Sequence, residues 1–460
     1  MKNLLQSVSR CAAWSAGWTI AQPMRPPLLR KAILTRSFFL ALMVMTVVTP
    51  MLGQALPAAE AAPISTGFAL PRTAGTLNYA VSGSEEATWG YYGNQGAYAA
   101  TNLSGDVAFI TNSKLYPFSL VFSGGRSWSS SGQPSYGYSS LGLSQVLNLK
   151  RWTVVISDSI SYLPGTPTVG LSGVPGAGDL GINPVQVGAD TGQGVLTAYS
   201  NRVANTVVGS IQRQLTGRTS FNVSGSYGIT RFLGSGGGLD GGSVTGGVGI
   251  SHQLSAVMSV GGNYSYSTFT YHDNSAGTNS PGFTSQSATL QLTRRLTRRL
   301  SMSVSGGPQW SSIDSGGSQG VNLAASASLS YDGQFSHVSI FYSRGTNSGS
   351  GVIGGALSQG GGISAGRTFA RVWNCAANAS YTQSSSLPFA SVAPVSFETA
   401  VASVQASRAI MRSLSAYASY TIEHQSSPST TSAVDVFTGL EQVVGFGLTY
   451  SPSSIHLGRQ

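Results

Sequence analysis

Apolar and small polar residues alternate along most of this chain, from about Thr76 to Tyr450. The stretch 257–271 shows the pattern: Met258, Val260, Tyr264 and Tyr266 share one parity, and Ser259, Gly261, Asn263, Ser265 and Ser267 share the other. Because successive side chains of a β-strand point to opposite faces, the pattern predicts a strand with one apolar and one polar face. The same alternation recurs in 288–293, 300–305, 321–329 and 413–422.

The polar face of these predicted strands consists of Ser, Thr, Asn, Gln and Gly, with few Lys or Glu residues. Surface strands of a soluble protein usually carry more charge, because charge prevents association. Over the whole chain 9% of the residues are charged, against roughly 25% in an ordinary soluble domain. A polar and nearly uncharged face is typical of the lining of a water-filled pore.

Short predicted turns divide the alternating region into pairs of strands. The turns centre near Lys114, Lys150, Gly217, Ser255, Thr297, Gly333, Ala370 and Met411. From Gly217 onward the centres are 36 to 42 residues apart, a repeat that holds two strands, whereas a propeller blade of similar length needs four. The other connections are longer and rich in Ser, Gly, Asn and Pro, as in 234–243, 272–284 and 345–360.

The turns also predict the topology. Eight short turns imply sixteen strands, and Thr76–Ser84 and Val436–Tyr450 add one at each end. The region has no apolar run of 18 or more residues, so we predict no helical membrane span in it. Short turns at one end and long loops at the other are typical of outer-membrane barrels, with the short turns periplasmic. We predict an all-β fold, a transmembrane antiparallel up-and-down β-barrel of 16–18 strands, with 18 preferred.

The N-terminal segment has the features of an export signal. Arg30, Lys31 and Arg36 precede an apolar stretch at 38–51, and small residues that suit cleavage follow. Without residues 1–55 the formal charge falls from +10 to +4, which removes the main support for a nucleic-acid partner. The predicted segments are a signal peptide or leader over 1–61, with Met24 as an alternative start, a periplasmic segment over 62–75, the barrel over 76–450 and a periplasmic tail over 451–460.

The last predicted strand ends in Gly445-Phe446-Gly447-Leu448-Thr449-Tyr450, where spaced apolar residues follow a glycine and an aromatic residue closes the strand. This segment resembles the last-strand signal of outer-membrane barrels. In its architecture, the region from Thr76 to Tyr450 resembles the porin-like outer-membrane barrel proteins. The resemblance implies a location in the outer membrane, contact with membrane lipids and assembly as a homotrimer. Because it rests on architecture alone, it carries over no family site residue.

The longest predicted connection, Pro164–Ser200, follows the fifth strand of an 18-stranded barrel and is rich in Pro and Gly. Long loops of this kind are usually functional or disordered. In general porins the third external loop narrows the lumen, so the resemblance implies a constriction, where charge sets ion preference. The residues expected to form it are Asp179 and Asp190 in the loop and Arg202, Arg213 or Arg231 on the wall. The alternative is a solvated surface loop.

Basic and aromatic residues near the predicted strand ends fit a position in a membrane. The basic residues of the short-turn end either bind anionic headgroups or keep the strand ends in water, and we prefer the second interpretation. Aromatic side chains are expected in interfacial girdles: Tyr264, Tyr266, Phe269, Tyr271, Tyr342, Tyr381, Tyr420 and Tyr450.

Catalytic and metal-binding patterns are weak in this sequence. Residues 362–366 match G-x-S-x-G around Ser364, but that motif needs a strand-to-helix elbow and here lies in a predicted strand. The five histidines have no metal-ligand spacing to one another or to a cysteine. Two acid–histidine neighbours would suit a barrel hydrolase: His272 with Asp273, and Glu423 with His424. We predict no catalytic residue, no cofactor and no metal.

Three functions stay open at the level of sequence. The preferred one is a porin-like outer-membrane channel for passive diffusion of small hydrophilic solutes and ions, which acts by size exclusion and weak charge selection and is not an enzyme. The second is a structural or surface-interaction barrel whose loops bind other surface components without transport. The third is a barrel hydrolase.

Overall fold

The computed structural model describes residues 75–90, 97–111, 113–130, 135–163, 201–233, 239–273, 278–313, 320–348, 354–370, 372–387, 395–426 and 438–457. The leader predicted over 1–61 and the loop 164–200 lie outside these residues. The described strands are β1 (Gly75–Trp89), β2 (Tyr98–Thr111), β3 (Phe118–Ser129), β4 (Tyr136–Leu149), β5 (Trp152–Leu163), β6 (Asn201–Gln214), β7 (Thr219–Leu233), β8 (Leu239–Ser255), β9 (Met258–Asp273), β10 (Thr278–Arg295), β11 (Leu300–Ile313), β12 (Gly320–Asp332), β13 (Ser336–Asn347), β14 (Ala356–Phe369), β15 (Trp373–Ser386), β16 (Ser396–Ala409), β17 (Leu414–Ser426), β18 (Gly439–Tyr450) and β19 (Ile455–Leu457). Within the described residues, no helix is long and apolar enough to cross a membrane.

Each long strand pairs antiparallel with the next along the chain, and β18 pairs with β1. The closing ladder runs from Val81↔Tyr450 to Trp89↔Gln442, and the short β19 extends it along the start of β1. Because the sheet is closed, none of the described long strands keeps a free edge, which is what hydrocarbon surroundings require. The predicted antiparallel up-and-down barrel is confirmed, and its strand number is 18.

Side-chain hydroxyls cap backbone N–H groups in several of the short turns. In the turn after β6, the hydroxyl of Thr216 accepts hydrogen bonds from the N–H groups of Arg218 and Thr219, at 3.2 and 3.0 Å. Thr297 makes the same two bonds in the turn after β10. Such local capping makes a short sequence turn instead of extending the strand. All eight predicted short turns are confirmed between consecutive strands.

At the other end of the barrel the strands are longer than predicted. The glycine- and serine-rich stretches 234–243, 272–284 and 345–360 were expected to be loops throughout, yet β8 begins at Leu239, β10 at Thr278 and β14 at Ala356. The loop prediction is wrong at these boundaries because composition alone decided it. In a closed barrel each strand finds a neighbour to pair with, and that pairing outweighs the weak strand preference of glycine.

The cross-strand pairing keeps one set of side chains on the same face around the whole barrel. Val260 opposes Leu292, and Leu292 opposes Val304, so that apolar residues of neighbouring strands lie side by side. Large apolar side chains on this face are exposed, with Leu290 at 72%. The other face carries most of the buried polar residues. Since a closed barrel encloses its inner face, the apolar face points outward and the polar face lines the interior.

The ladder between β10 and β11 is interrupted at Pro308, which lacks the N–H group that a ladder needs. The neighbouring Gly307 lies so close to β10 that a Cβ atom on it would overlap the carbonyl oxygen of Ala288. That oxygen belongs to the backbone, so it cannot move aside without shifting the strand. The close approach therefore requires glycine at this position.

Gly307→Ala is expected to destabilise the barrel by about 1–3 kcal/mol, the usual cost of overpacking. Gly209→Ala is the matched control, because no atom lies within 4 Å of the corresponding Cβ position. The control should leave stability unchanged or raise it slightly, since alanine restricts the unfolded chain. Denaturant unfolding in lipid vesicles measures the difference. Equal midpoints for the two variants would contradict the close approach at Gly307.

Candidate functional site

The inner face is a network of short polar side chains that bond to one another across neighbouring strands. Hydroxyl oxygens pair directly at Ser82–Ser104 (2.6 Å), Ser265–Ser287 (2.8 Å), Ser305–Ser326 (2.7 Å), Ser339–Ser364 (2.8 Å) and Ser358–Ser384 (2.9 Å). The amide of Gln309 joins the network by donating to Ser285 at 2.9 Å. Each hydroxyl can donate and accept, so the lining keeps hydrogen-bonding capacity for water or a polar solute.

Four carboxylates interrupt this uncharged lining on one side of the barrel. They belong to four consecutive strands, and we call them the acidic face: Glu423 of β17, Glu441 of β18, Glu86 of β1 and Asp106 of β2. Cross-strand pairing places all four on the inner face. In the sequence, Glu423 stands out only as a neighbour of His424, and the other three do not stand out, although Glu86 shares its parity with Ser82 and Ser84. Their grouping is hidden in the sequence because β1 and β18 lie at opposite ends of the chain and meet only where the barrel closes.

The two glutamates nearest the long-loop end are direct cross-strand partners. Glu423 opposes Glu441 in the β17–β18 ladder, and the residues are 4% and 6% exposed. Among the described residues, nothing donates a hydrogen bond to Oε2 of either side chain. Glu86 opposes Gly445 of β18. Gly445 lies four residues along the strand from Glu441, a distance of about 13 Å at the usual rise per residue. The acidic face thus descends from the long-loop end towards the middle of the barrel.

Apolar side chains occupy the long-loop end on another part of the inner wall. Five buried residues pack together there, and we call them the mouth cluster: Phe269 and Tyr271 of β9, Phe283 of β10, Ile313 of β11 and Leu387 after β15. The rings of Phe269 and Phe283 stack with their centroids 4.5 Å apart, and Phe283 is fully buried. The cluster covers the polar lining at this end of the interior.

The described ends of the connection between β13 and β14, Ser348 and Gly355, lie against the mouth cluster. The hydroxyl of Tyr271 donates to the backbone carbonyl of Ser348 at 2.7 Å, across 77 residues of sequence. Gly355 lies against the ring of Phe283, at a φ of +83° that favours glycine. Its carbonyl accepts a hydrogen bond from the N–H of Leu387 at 3.2 Å. These contacts narrow the long-loop end of the interior.

Two aromatic residues predicted for the interfacial girdles face inward instead. Phe269 and Tyr271 belong to the mouth cluster, so that part of the prediction is wrong. The other six expected residues are exposed on the outer face: Tyr264, Tyr266, Tyr342, Tyr381, Tyr420 and Tyr450. Phe269 and Tyr271 have the opposite parity to Tyr264 and Tyr266. Parity, and not aromatic character, decides the face that a strand residue occupies.

The structure does not bring the arginines of the predicted constriction together. Arg202 lies on the inner face near the start of β6, beside the buried Phe232. Arg213 and Arg231 lie on the outer face, where Arg213 stacks over the Trp152 ring at 4.9 Å and Arg231 donates to Asp240 at 2.8 Å. Their parity in β6 and β7 is that of the outward apolar residues, which is why they cannot face the interior. Asp179 and Asp190 lie outside the described residues.

A cavity of about 650 Å³ lies at the short-turn end, along β4 to β11. Inner-face amides line it together with basic residues of the turns and strand ends: Gln212, Gln214, Gln253, Arg151, Arg218 and Arg295. Positive charge is therefore concentrated at the short-turn end of the interior. The carboxylates of the acidic face lie nearer the long-loop end, around the pairing of β18 with β1.

The candidate catalytic residues are placed as ordinary strand residues. Ser364 lies inside β14, where its hydroxyl is 2.8 Å from that of Ser339, and no strand-to-helix elbow surrounds it. Glu423 and His424 are consecutive in β17, so their side chains point to opposite faces. His272 lies on the outer face of β9, and the side chain of Asp273 lies outside the described part. In the described part of the chain, no three His, Cys, Asp or Glu side chains are placed to hold a metal ion.

No protein-family model matches the chain, and neither does any curated protein sequence. Among solved structures, the chain is similar to OpdQ of Pseudomonas aeruginosa, with 9% identity and a TM-score of 0.41 over 83% of this chain and 99% of that one. OccK7 (OpdD) of the same organism shows 10% identity and a TM-score of 0.41, over 83% and 99%. The FrpB iron transporter of Neisseria meningitidis shows 7% identity and a TM-score of 0.42, over 82% and 81%. The closed 18-stranded sheet itself confirms the porin-like barrel architecture that the sequence predicts.

Proposed function

We propose that this protein is a porin-like outer-membrane channel for the passive diffusion of small hydrophilic solutes. The observation that carries the proposal is the closed barrel with hydroxyl and amide groups inside and large apolar side chains outside. Barrels of 16–18 strands leave an aqueous channel rather than a filled core. Exposed inner-face residues such as Ser326 and Ser328 of β12 support access of water to the interior.

Transport through such a channel needs no chemistry. Hydroxyl and amide groups of the lining replace part of the hydration shell of a passing solute. The mouth cluster and the β13–β14 connection exclude solutes that are wider than the remaining opening at the long-loop end. The constriction by Asp179 and Asp190 stays part of the proposal, with Arg202 as the arginine whose position supports it.

Residues of the outer face support a position in the outer membrane. Its apolar side chains suit hydrocarbon, and its tyrosines suit the membrane–water interfaces. Arginines stack over aromatic rings at the short-turn end: Arg213 over Trp152 at 4.9 Å, Arg367 over Phe369 at 4.8 Å and Arg408 over Trp373 at 5.3 Å. Such pairs hold a positive charge at the depth of the lipid headgroups. The leader over 1–61 and periplasmic short turns complete this topology.

Assembly as a homotrimer belongs to the same proposal. A shallow groove on the outer face of β14–β17 supports it, because its alanines offer little bulk. In membranes, small side chains let neighbouring elements approach closely. The residues with the smallest side chains in this groove are Ala365, Ala377, Ala379 and Ala402.

Purified protein in a planar lipid bilayer is expected to show discrete conductance steps in KCl. A trimer gives three conductance steps of equal size for each inserted assembly. If the barrel inserts and its β-structure is intact but no steps are seen, the channel proposal fails.

Adjacent residues on β12 provide a sharper test of the same proposal. Ser326 lies on the inner face and Ala327 on the outer face. In a Cys375→Ser background, a bulky charged methanethiosulfonate reagent should lower the conductance of Ser326→Cys and leave that of Ala327→Cys unchanged. The same response from both variants would contradict a conducting path along the inner face.

A further inference from the structure

We propose that Glu423 and Glu441 form a binding site for a small monovalent cation on the inner wall, and that this site makes the channel prefer cations to anions. The preference rests on the proposed channel function. The binding site does not, because it follows from the geometry of the acidic face alone.

Glu423 and Glu441 are two carboxyl groups buried beside each other. Glu423 and Glu441 are directly opposed across the β17–β18 ladder, and each is more than nine-tenths buried. Each keeps one oxygen, Oε2, that is buried and without a hydrogen-bond donor among the described residues. Burying an unpaired charge is costly, and two adjacent like charges add repulsion to that cost. A cation between the two Oε2 atoms removes both penalties at once.

Among the described residues, no side chain forms an ion pair with either glutamate. Ion pairs join Arg231 to Asp240 and His337 to Asp332, and neither of these pairs lies on the acidic face. His424 follows Glu423 in the sequence but points outward. The partners that fit are therefore a proton shared by the two carboxylates or a cation from outside the barrel wall, and unfolding in KCl distinguishes the two.

The number of acidic ligands decides which class of cation the site can hold. Two carboxylates, without a third acidic or histidine ligand among the described residues, are too few for a tightly held divalent ion, which takes six or more oxygen ligands. Two carboxylates suit a weakly held monovalent cation, and a site in a channel must release its ion. Glu86, about 13 Å further along the wall, provides the next acidic position. Together these positions favour K⁺, Na⁺ or the ammonium group of a small solute.

Selectivity is measured from the reversal potential across a planar bilayer with KCl at two concentrations. The wild-type channel should favour K⁺ over Cl⁻. The double variant E423Q/E441Q should lower the K⁺/Cl⁻ permeability ratio by roughly tenfold, which corresponds to about 1.4 kcal/mol. Glu85→Gln is the matched control, because Glu85 precedes Glu86 but lies on the outer face, where it accepts a hydrogen bond from Thr101 at 2.8 Å. This control should keep the wild-type ratio.

Binding is measured separately, from thermal unfolding in KCl and in N-methylglucamine chloride of equal ionic strength. A cation that binds the folded barrel raises the midpoint in KCl, and the bulky organic cation should not enter the site. Wild type and Glu85→Gln should show the difference, whereas E423Q/E441Q should not. Glu441→Lys should also lose it, because it places a fixed positive charge beside Glu423.

The two measurements separate the two proposals. Equal midpoints of the wild type in both salts would overturn the binding site, whatever the conductance. Conductance without a cation preference, or a preference that persists in E423Q/E441Q, would overturn its role in selectivity. Absence of conductance together with a KCl-dependent midpoint would overturn the channel and leave the site standing.

Discussion

Phe283→Ala is expected to loosen the long-loop mouth and to raise the single-channel conductance. Phe283 is fully buried, stacks on Phe269 and packs against Gly355 of the β13–β14 connection. Truncation of a buried phenylalanine to alanine typically costs about 3–5 kcal/mol, because the surroundings close the cavity only in part. The strand ladders outside the mouth cluster stay intact. The loss of stability should therefore affect mainly the contacts between the mouth cluster and the ends of the β13–β14 connection.

Hydrogen exchange at the Leu387 amide reports this loosening directly. That N–H donates to the carbonyl of Gly355 at 3.2 Å, so it exchanges faster when the connection detaches. Phe446→Ala is the control, since Phe446 lies on the outer face and is 60% exposed. It should leave both the exchange rate and the conductance unchanged. A wild-type exchange rate in Phe283→Ala would show that the mouth cluster does not hold the connection.

Leu290→Arg is expected to destabilise the barrel in a lipid bilayer by about 2–4 kcal/mol, the cost of arginine on the lipid face near the midplane. Leu290 is 72% exposed on the outer face of β10, where its cross-strand partners are Gly262 and Gly306. An arginine there must either enter hydrocarbon or draw water into it. Guanidinium unfolding in lipid vesicles measures the change in the free energy of unfolding.

Gln291→Arg provides a matched control one residue along the same strand. Gln291 lies on the inner face, where its amide donates to Ser303 at 3.4 Å. The longer side chain remains among polar groups there, so the change in stability should be small. An equal loss in both variants would contradict the assignment of the apolar face to lipid.

The sequence predicted the strands and short turns of the barrel well, because both depend on residues close together in the chain. The alternation of residues has a period of two, and Thr216 and Thr297 cap the turns in which they lie. All eight short turns and the 18 strands could therefore be predicted without knowledge of the fold. Strand ends in glycine-rich stretches could not, because the pairing partner decides how far such a strand extends.

The candidate site was predicted much less well. Arg213 and Arg231 were expected on the wall of a constriction, but their parity places them outside, where Trp152 and Asp240 are their partners. Phe269 and Tyr271 were expected at a membrane interface, yet they close part of the mouth. Parity, which is visible in the sequence, would have corrected both assignments. The partners themselves were not visible, because the Tyr271–Ser348 bond spans 77 residues.

The sequence by itself determined that alternating strands, short capped turns and an uncharged polar face would form a barrel. These features are local, since each depends on residues a few positions apart. Only the tertiary structure decided which side chains meet inside. Closure of β18 on β1 brings Glu86 and Asp106 to the side of Glu423 and Glu441, and Gly355, just before β14, lies against Phe283. Such encounters depend on the pairing of all the strands at once, which no single stretch of sequence contains.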